Sequence, residues 1–249
     1  MLEDLNEKLI THHVGGAWRA PYSGRMRALR RGGGGPVIGA LAEADERDIA
    51  RAMHGSVAGA AAMAAMGQAA RDRLAAAFLD RTRERAALIA ASRALERGGT
   101  GHEAEGHRML RAMEQTLYEP PPDSAGAAGE MALILGTAAG PLEALGAALV
   151  QRLRAGGAIL LKPAPRAPIV PLALMDALAA AGVPRGAAGL LQGGGVTTGA
   201  PLLGHPKITC AVLAGKAAAR TELAETARAG GVRLDCRATP PGTCERPGR

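Results

Sequence analysis

GGAILLKPAPRAPIVP occupies residues Gly156–Pro171, and its first half decides the fold. Ala158–Leu161 is an apolar run with no polar alternation, too short for a helix. Such a run reads as a strand buried on both faces, the habit of parallel sheets. It ends on Lys162, one of four lysines in a chain with 26 arginines. Prolines follow at 163, 165, 168 and 171, and the last two suit the opening of a helix. Two glycines precede the strand, so a helix that ends on Gly156 can turn into it.

Outward from this unit the same alternation continues. Upstream lie a strand, MALILG (131–136), and a helix, PLEALGAALVQRLRAG (141–156), with proline near its start and glycine at its end. Downstream come a helix over 167–182, a strand at 187–193 and a short helix or turn in VTTGAPLLG. A strand at 208–215, a helix at 216–230 and a last strand at 232–236 complete the series. Strands and helices at this spacing predict βαβ units. The expected fold is α/β, a three-layer sandwich with a Rossmann-like parallel sheet of about five strands.

A helical and short-strand segment precedes that core. Glycine-rich pieces, among them RRGGGGPVIGAL, separate small apolar runs over 10–42. Asp45 opens a helix on which Ile49, Met53 and Val57 recur every four residues. A second helical stretch covers 69–96, and a weaker one 102–117. Prolines 120–122 cannot continue a helix. The expected organisation is therefore 1–119, a linker at 120–130, a βαβ core at 131–236 and a disordered tail at 237–249.

Bulk composition excludes several functions. The net charge is +7, yet acids interleave the arginines in ADERDIAR and LDRTRERAALI, which reads as solvated helix faces. Aromatic residues are 2% of the chain, too few for base stacking, so nucleic acid is not an expected partner. The three cysteines, Cys210, Cys236 and Cys244, show neither paired spacing nor a C-x-x-C, so no metal site is expected and a reducing compartment fits. MLEDLNEKLITHH lacks the apolar centre of a signal peptide, and no stretch is long and apolar enough to span a bilayer. The expectation is a cytoplasmic protein with no membrane partner.

Open parallel sheets bind ligands beyond the carboxyl ends of their strands. Lys162 sits at such an end, as do Gly193–Gly195 and Gly215 with Lys216. Free N–H groups in a glycine turn before a helix can hold a phosphate, and Lys216 would add charge. On these signals alone the glycines also read as ordinary tight turns.

The order of the pieces resembles the aldehyde dehydrogenase superfamily, nearly end to end. HHVGGAWRAPYSGR is similar to the family's opening strand, and VIGALAEADERDIARAM to the segment after it. ALVQRLRAGGAILLKPAPRAPIVPLALMDALAAAGVPRGAAGLLQGGG resembles the family's LKP segment and its A-G-l-P-x-G motif. TGAPLLGHPKITCAVLAG resembles the run through H-P into F-T-G-S. The resemblance implies the N-terminal, cofactor-binding half of the family, in which both parts of the chain build one cofactor domain. It implies NAD(P)-dependent oxidation of an aldehyde to a carboxylic acid, with NAD or NADP as cofactor. Lys162 matches the lysine that holds the adenosine ribose or its 2′-phosphate. Gly195, Gly215 and Lys216 fall on cofactor-binding turns.

The catalytic parts do not match. Ala139 stands where the family's oxyanion-stabilising Asn would be, Pro165 at the ribose glutamate, and Arg220 at a loop glycine. Asp235 falls at the general-base glutamate, and no cysteine is assigned as nucleophile, so no catalytic residue is expected. The expectation is thus a truncated and degenerate homologue, a pseudoenzyme inactive alone, forming a homo-oligomer or joining a complementary catalytic chain. The alternatives are the cofactor-binding half of a split oxidoreductase and a non-catalytic interaction or regulatory protein.

Overall fold

The computed structural model describes residues 9–120, 129–136, 140–214 and 225–235. The central strands are β6 (Met131–Gly136), β7 (Ala158–Lys162), β8 (Ala188–Leu190), β9 (Ile208–Ala214) and β10 (Arg233–Asp235). They pair in parallel, in the order β10-β9-β6-β7-β8. This is the expected parallel sheet. The N-terminal strands β2 (His12–Val14) and β3 (Ala17–Arg19) extend it, antiparallel, past β8. Gly15 and Gly16 turn that hairpin with φ of +60° and +77°, a left-handed pair that suits a two-residue hairpin loop. A side chain on Gly16 would also strike Arg185, whose Nε donates to the Gly15 carbonyl at 2.8 Å. A second sheet of three strands orders β1 (Leu9–Ile10), β5 (Val37–Ala42) and β4 (Met26–Arg30).

Alternation along each strand explains the unbroken apolar runs. Ile159 and Leu161 of β7 face a core shared with α3 (Gln68–Glu84), α5 (His102–Tyr118), α6 (Leu142–Ala155) and α7 (Ile169–Ala180). Ala158 and Leu160 face the opposite core, with α1 (Glu46–Gly55), α8 (Ala200–Leu203) and Ala227 of the helical residues 225–229. Each fully buried Leu or Ile contributes about 1.5–3 kcal/mol relative to exposure. Two buried faces leave no position for a polar residue until the strand leaves the sheet.

Three readings need correction. The helix from Asp45 ends at Gly55, and Val57, on α2 (Val57–Ala65), is 53% exposed rather than part of the stripe. The single helix over 69–96 is two, α3 and α4 (Ala86–Arg97), broken at Arg85. Thr82 Oγ1 donates back to the Phe78 carbonyl at 2.8 Å, a contact that bends helices near that point. The charge runs are not wholly solvated: Asp48 of ADERDIAR is buried. The linker lies largely outside the described residues, as does the C-terminal tail.

Candidate functional site

Lys162 is the last residue of β7, and alternation places it on the α8 side of the sheet. It is 4% exposed. A Cβ added to Gly199 would lie 3.8 Å from Lys162 Cδ and Cε, so the lysine stem packs beside the Gly199 backbone. Among the described residues no hydrogen bond or ion pair holds the ammonium. Burial lowers its pKa to about 8; Arg27 pushes the same way and Glu43 opposes. A largely desolvated ammonium without a protein hydrogen bond suits an anionic or hydroxyl-rich ligand.

The turn beside it is built from backbone. β8 ends at Leu190, earlier than the expected end at 193, and Gln192 lies in the turn that follows. Gln192 N donates to His12 Nδ1 at 3.1 Å, and its carbonyl accepts from Ala44 N at 3.1 Å. Gly193 adopts φ of +148°, and a Cβ there would lie 2.1 Å from Thr198 Oγ1. The Gly194 carbonyl accepts from the N–H groups of Thr198 and Gly199, closing a π-type turn over Gly195–Gly199. Gly195 is exposed with open space where a side chain would be, and Val196 beside it is 84% exposed. The structure therefore brings Lys162 to the turn that carries Gly195. The helix after that turn, α8, has four residues, too few for a strong dipole. Any anion there must rely on N–H groups and Lys162.

Two buried networks anchor this end of the sheet. His12 accepts through Nδ1, so the neutral ring carries its proton on Nε2, which faces Asp48 Oδ2 at 3.7 Å. Burial lowers the His12 pKa to about 4, with help from Arg51. Asp48 also accepts from the Tyr22 and Asp45 N–H groups and from Arg51 at 2.7 Å, while burial pushes its pKa up. On the opposite face Arg93, 2% exposed, donates to Glu105 at 2.9 Å and to the Gly140 carbonyl at 3.0 Å. Its Nη1 lies 3.6 Å from Glu96. Glu96 accepts from the N–H groups of Ile169 and Val170, capping α7. Burial raises the Glu96 pKa to about 7 against those bonds.

Sequence reasoning missed His12, Gln192, Arg93 and Glu96. One signal was readable: Asp45 and Asp48 form a capping box, with the second acid three residues after the first. Gly215 and Lys216 lie outside the described residues, as do Ala139, Arg220, Cys236 and Cys244. Asp235 closes β10, paired with Val212. Cys210 is buried inside β9. Among the described residues no cluster of three or more His, Cys, Asp or Glu could hold a metal ion. No helix among them is long and apolar enough to cross a membrane.

Residues 139–236 match the family model described as the aldehyde dehydrogenase family. A search of curated proteins gave no match. Among solved structures, aldehyde dehydrogenase C of Pseudomonas syringae, in its C291A form with NAD+ and octanal, aligns with a TM-score of 0.80 and 19% identity. That alignment covers 90% of this chain and 49% of the other. Betaine aldehyde dehydrogenase of Staphylococcus aureus, in complex with NAD+, aligns with a TM-score of 0.78 and 15% identity, over 90% and 48% of the two chains. HpcC of Thermus thermophilus gives 0.79 and 21%, over 91% and 47%. The chain thus spans about half the length of these structures. Residues 139–236 thus match the aldehyde dehydrogenase family, and the chain shares the fold of these structures over about nine-tenths of its length.

Proposed function

We propose that these 249 residues form the cofactor-binding part of an aldehyde dehydrogenase-type oxidoreductase and bind NAD or NADP at the carboxyl end of the parallel sheet. The observation that carries the reading is Lys162, buried without a partner among the described residues, with its stem running past Gly199. The residues fit a dinucleotide there: Lys162 would hold the adenosine ribose, and the open backbone at Gly195 would leave room beside it. Gly215 and Lys216 complete the proposed contacts. A bound nicotinamide supplies hydride acceptance. Gln192 holds the glycine turn through His12 and Ala44, and Arg93 fixes the backbone at Gly140.

The N-terminal segment belongs to the same cofactor unit in this reading, supported by the pairing of β2 with β8. No residue here is assigned as nucleophile. Thiol chemistry falls to residues outside these 249, in the same polypeptide or in a second one, and the chain alone does not oxidise aldehydes. The proposed compartment is the cytoplasm.

Calorimetric titration of NAD and NADP into the whole chain tests this, with Lys162→Ala beside it. Saturable binding that the substitution abolishes is expected. A folded protein that binds neither nucleotide would overturn the assignment.

A further inference from the structure

The glycine-rich stretch RRGGGGP (30–36) has no role in the site above, yet it borders a second concavity. An open groove of about 360 Å³ runs between β4 and the loop after Lys162, and Arg27, Arg30, Gly33 and Arg166 line it. No carboxylate is among its lining residues. Arg27 is held at 2.9 Å by Glu43, which offsets one charge at the rim. Arg30 Nη1 donates to the Gly35 carbonyl at 3.2 Å, which leaves its remaining N–H groups available. Arg166 is exposed, and among the described residues it has no hydrogen bond or ion pair.

Gly33 lines the groove beside Arg166. It adopts φ of +84°, and a Cβ there would lie 3.4 Å from Arg166 Cδ and Nε. The arginine therefore lies along bare backbone, and no side chain from residue 33 fills the groove. Three guanidinium groups around one open volume repel one another, and an anion relieves that repulsion. Their forked N–H groups match the oxygens of a phosphate better than a lone carboxylate would.

We propose that this groove is a phosphate-binding site, with Arg166 as its main contact and Arg30 as its second. Its ligand is a phosphate monoester on a small molecule. That phosphate has two sources: the nucleotide seated at Lys162 or a separate phosphorylated metabolite. Only the first source rests on the cofactor reading.

The test is calorimetry on the whole chain at low ionic strength with inorganic phosphate, NAD and NADP as probes. The parent is compared with Arg166→Gln and Arg30→Gln, and thermal unfolding confirms that each exposed substitution leaves the fold intact. Phosphate binding is expected to weaken by about tenfold in Arg166→Gln and by less in Arg30→Gln. NADP binding tighter than NAD, with the gap closing in Arg166→Gln, identifies the nucleotide as the source. NAD and NADP binding alike, with phosphate still dependent on Arg166, identifies a separate molecule. Phosphate binding without either dinucleotide keeps the groove and removes the cofactor reading. If neither phosphate affinity nor an NADP preference responds to Arg166→Gln, the proposal is overturned.

Discussion

Two buried charges bracket the α7 loop, and they are treated in opposite ways. Glu96 takes two N–H groups from the start of α7 on Oε1, and its Oε2, which has no hydrogen bond, faces at 3.6 Å the Arg93 guanidinium, itself tied to Glu105 and Gly140. Lys162, at the end of β7, is buried to a similar degree and has no hydrogen bond or ion pair among the described residues. Burying a charge is tolerated when its hydrogen-bonding capacity is met. Burial disfavours both charges, but Glu96 is tied to α7 and faces Arg93, so it belongs to the fold's own architecture, whereas Lys162 has no such partner and is a cost to the fold that a ligand would offset.

The largest expected effect breaks the first half of that contrast. Glu96→Ala uncaps α7 and leaves Arg93 without one of its two carboxylates, and urea unfolding should show a loss of about 3 kcal/mol. Glu96→Gln keeps an acceptor for the N–H groups, so at pH 6 it should stay within about 1 kcal/mol of the parent.

Acid separates two further groups. The folded pKa of His12 is about 4 against 6.5 unfolded, so the unfolded chain binds more protons between these values. Stability from His12 is complete above pH 6.5 and is lost as pH falls towards 4, about 3 kcal/mol in all. Glu96 runs the other way: its folded pKa of about 7 exceeds 4.5, so its contribution falls as pH rises through that window. The two slopes oppose each other in the parent. Glu96→Gln should expose the acid-side loss from His12, and a variant whose urea midpoint changes with pH no more than the parent's would contradict this.

The third effect is a gain. Lys162→Met replaces a desolvated ammonium with an apolar side chain of similar length, and stability at pH 7 should rise by about 1–3 kcal/mol. The smallest concerns binding. Lys162 loses its proton above about 8, so nucleotide affinity, measured by calorimetry, should fall by about tenfold from pH 7 to pH 9. An affinity that stays level across that range would detach Lys162 from the ligand.

The sheet was legible because its strands are apolar on both faces. MALILG and AILLK are strands over the residues expected, since nothing polar interrupts them before the sheet edge. Lys162 was legible as an exception to that rule. The N-terminal hairpin gave its turn, through Gly15 and Gly16, but not its place beside β8, because a single paired residue, His13 with Leu190, fixes the junction. Arg93 and Glu96 were illegible. They sit in α4, whose one other charge, Arg97, is exposed, and only tertiary contact with Gly140 and α7 distinguishes them. His12 was hidden for the same reason, since its partner Gln192 lies 180 residues away.

The most direct test of the central claim is the urea midpoint of the parent and of Lys162→Met, each with and without saturating NADP. The account predicts that NADP stabilises the parent by mass action. It predicts that Lys162→Met is more stable than the parent when alone, and unchanged when NADP is added. A variant less stable than the parent, or one that NADP still stabilises to the same extent, would show that Lys162 serves the fold and not the ligand.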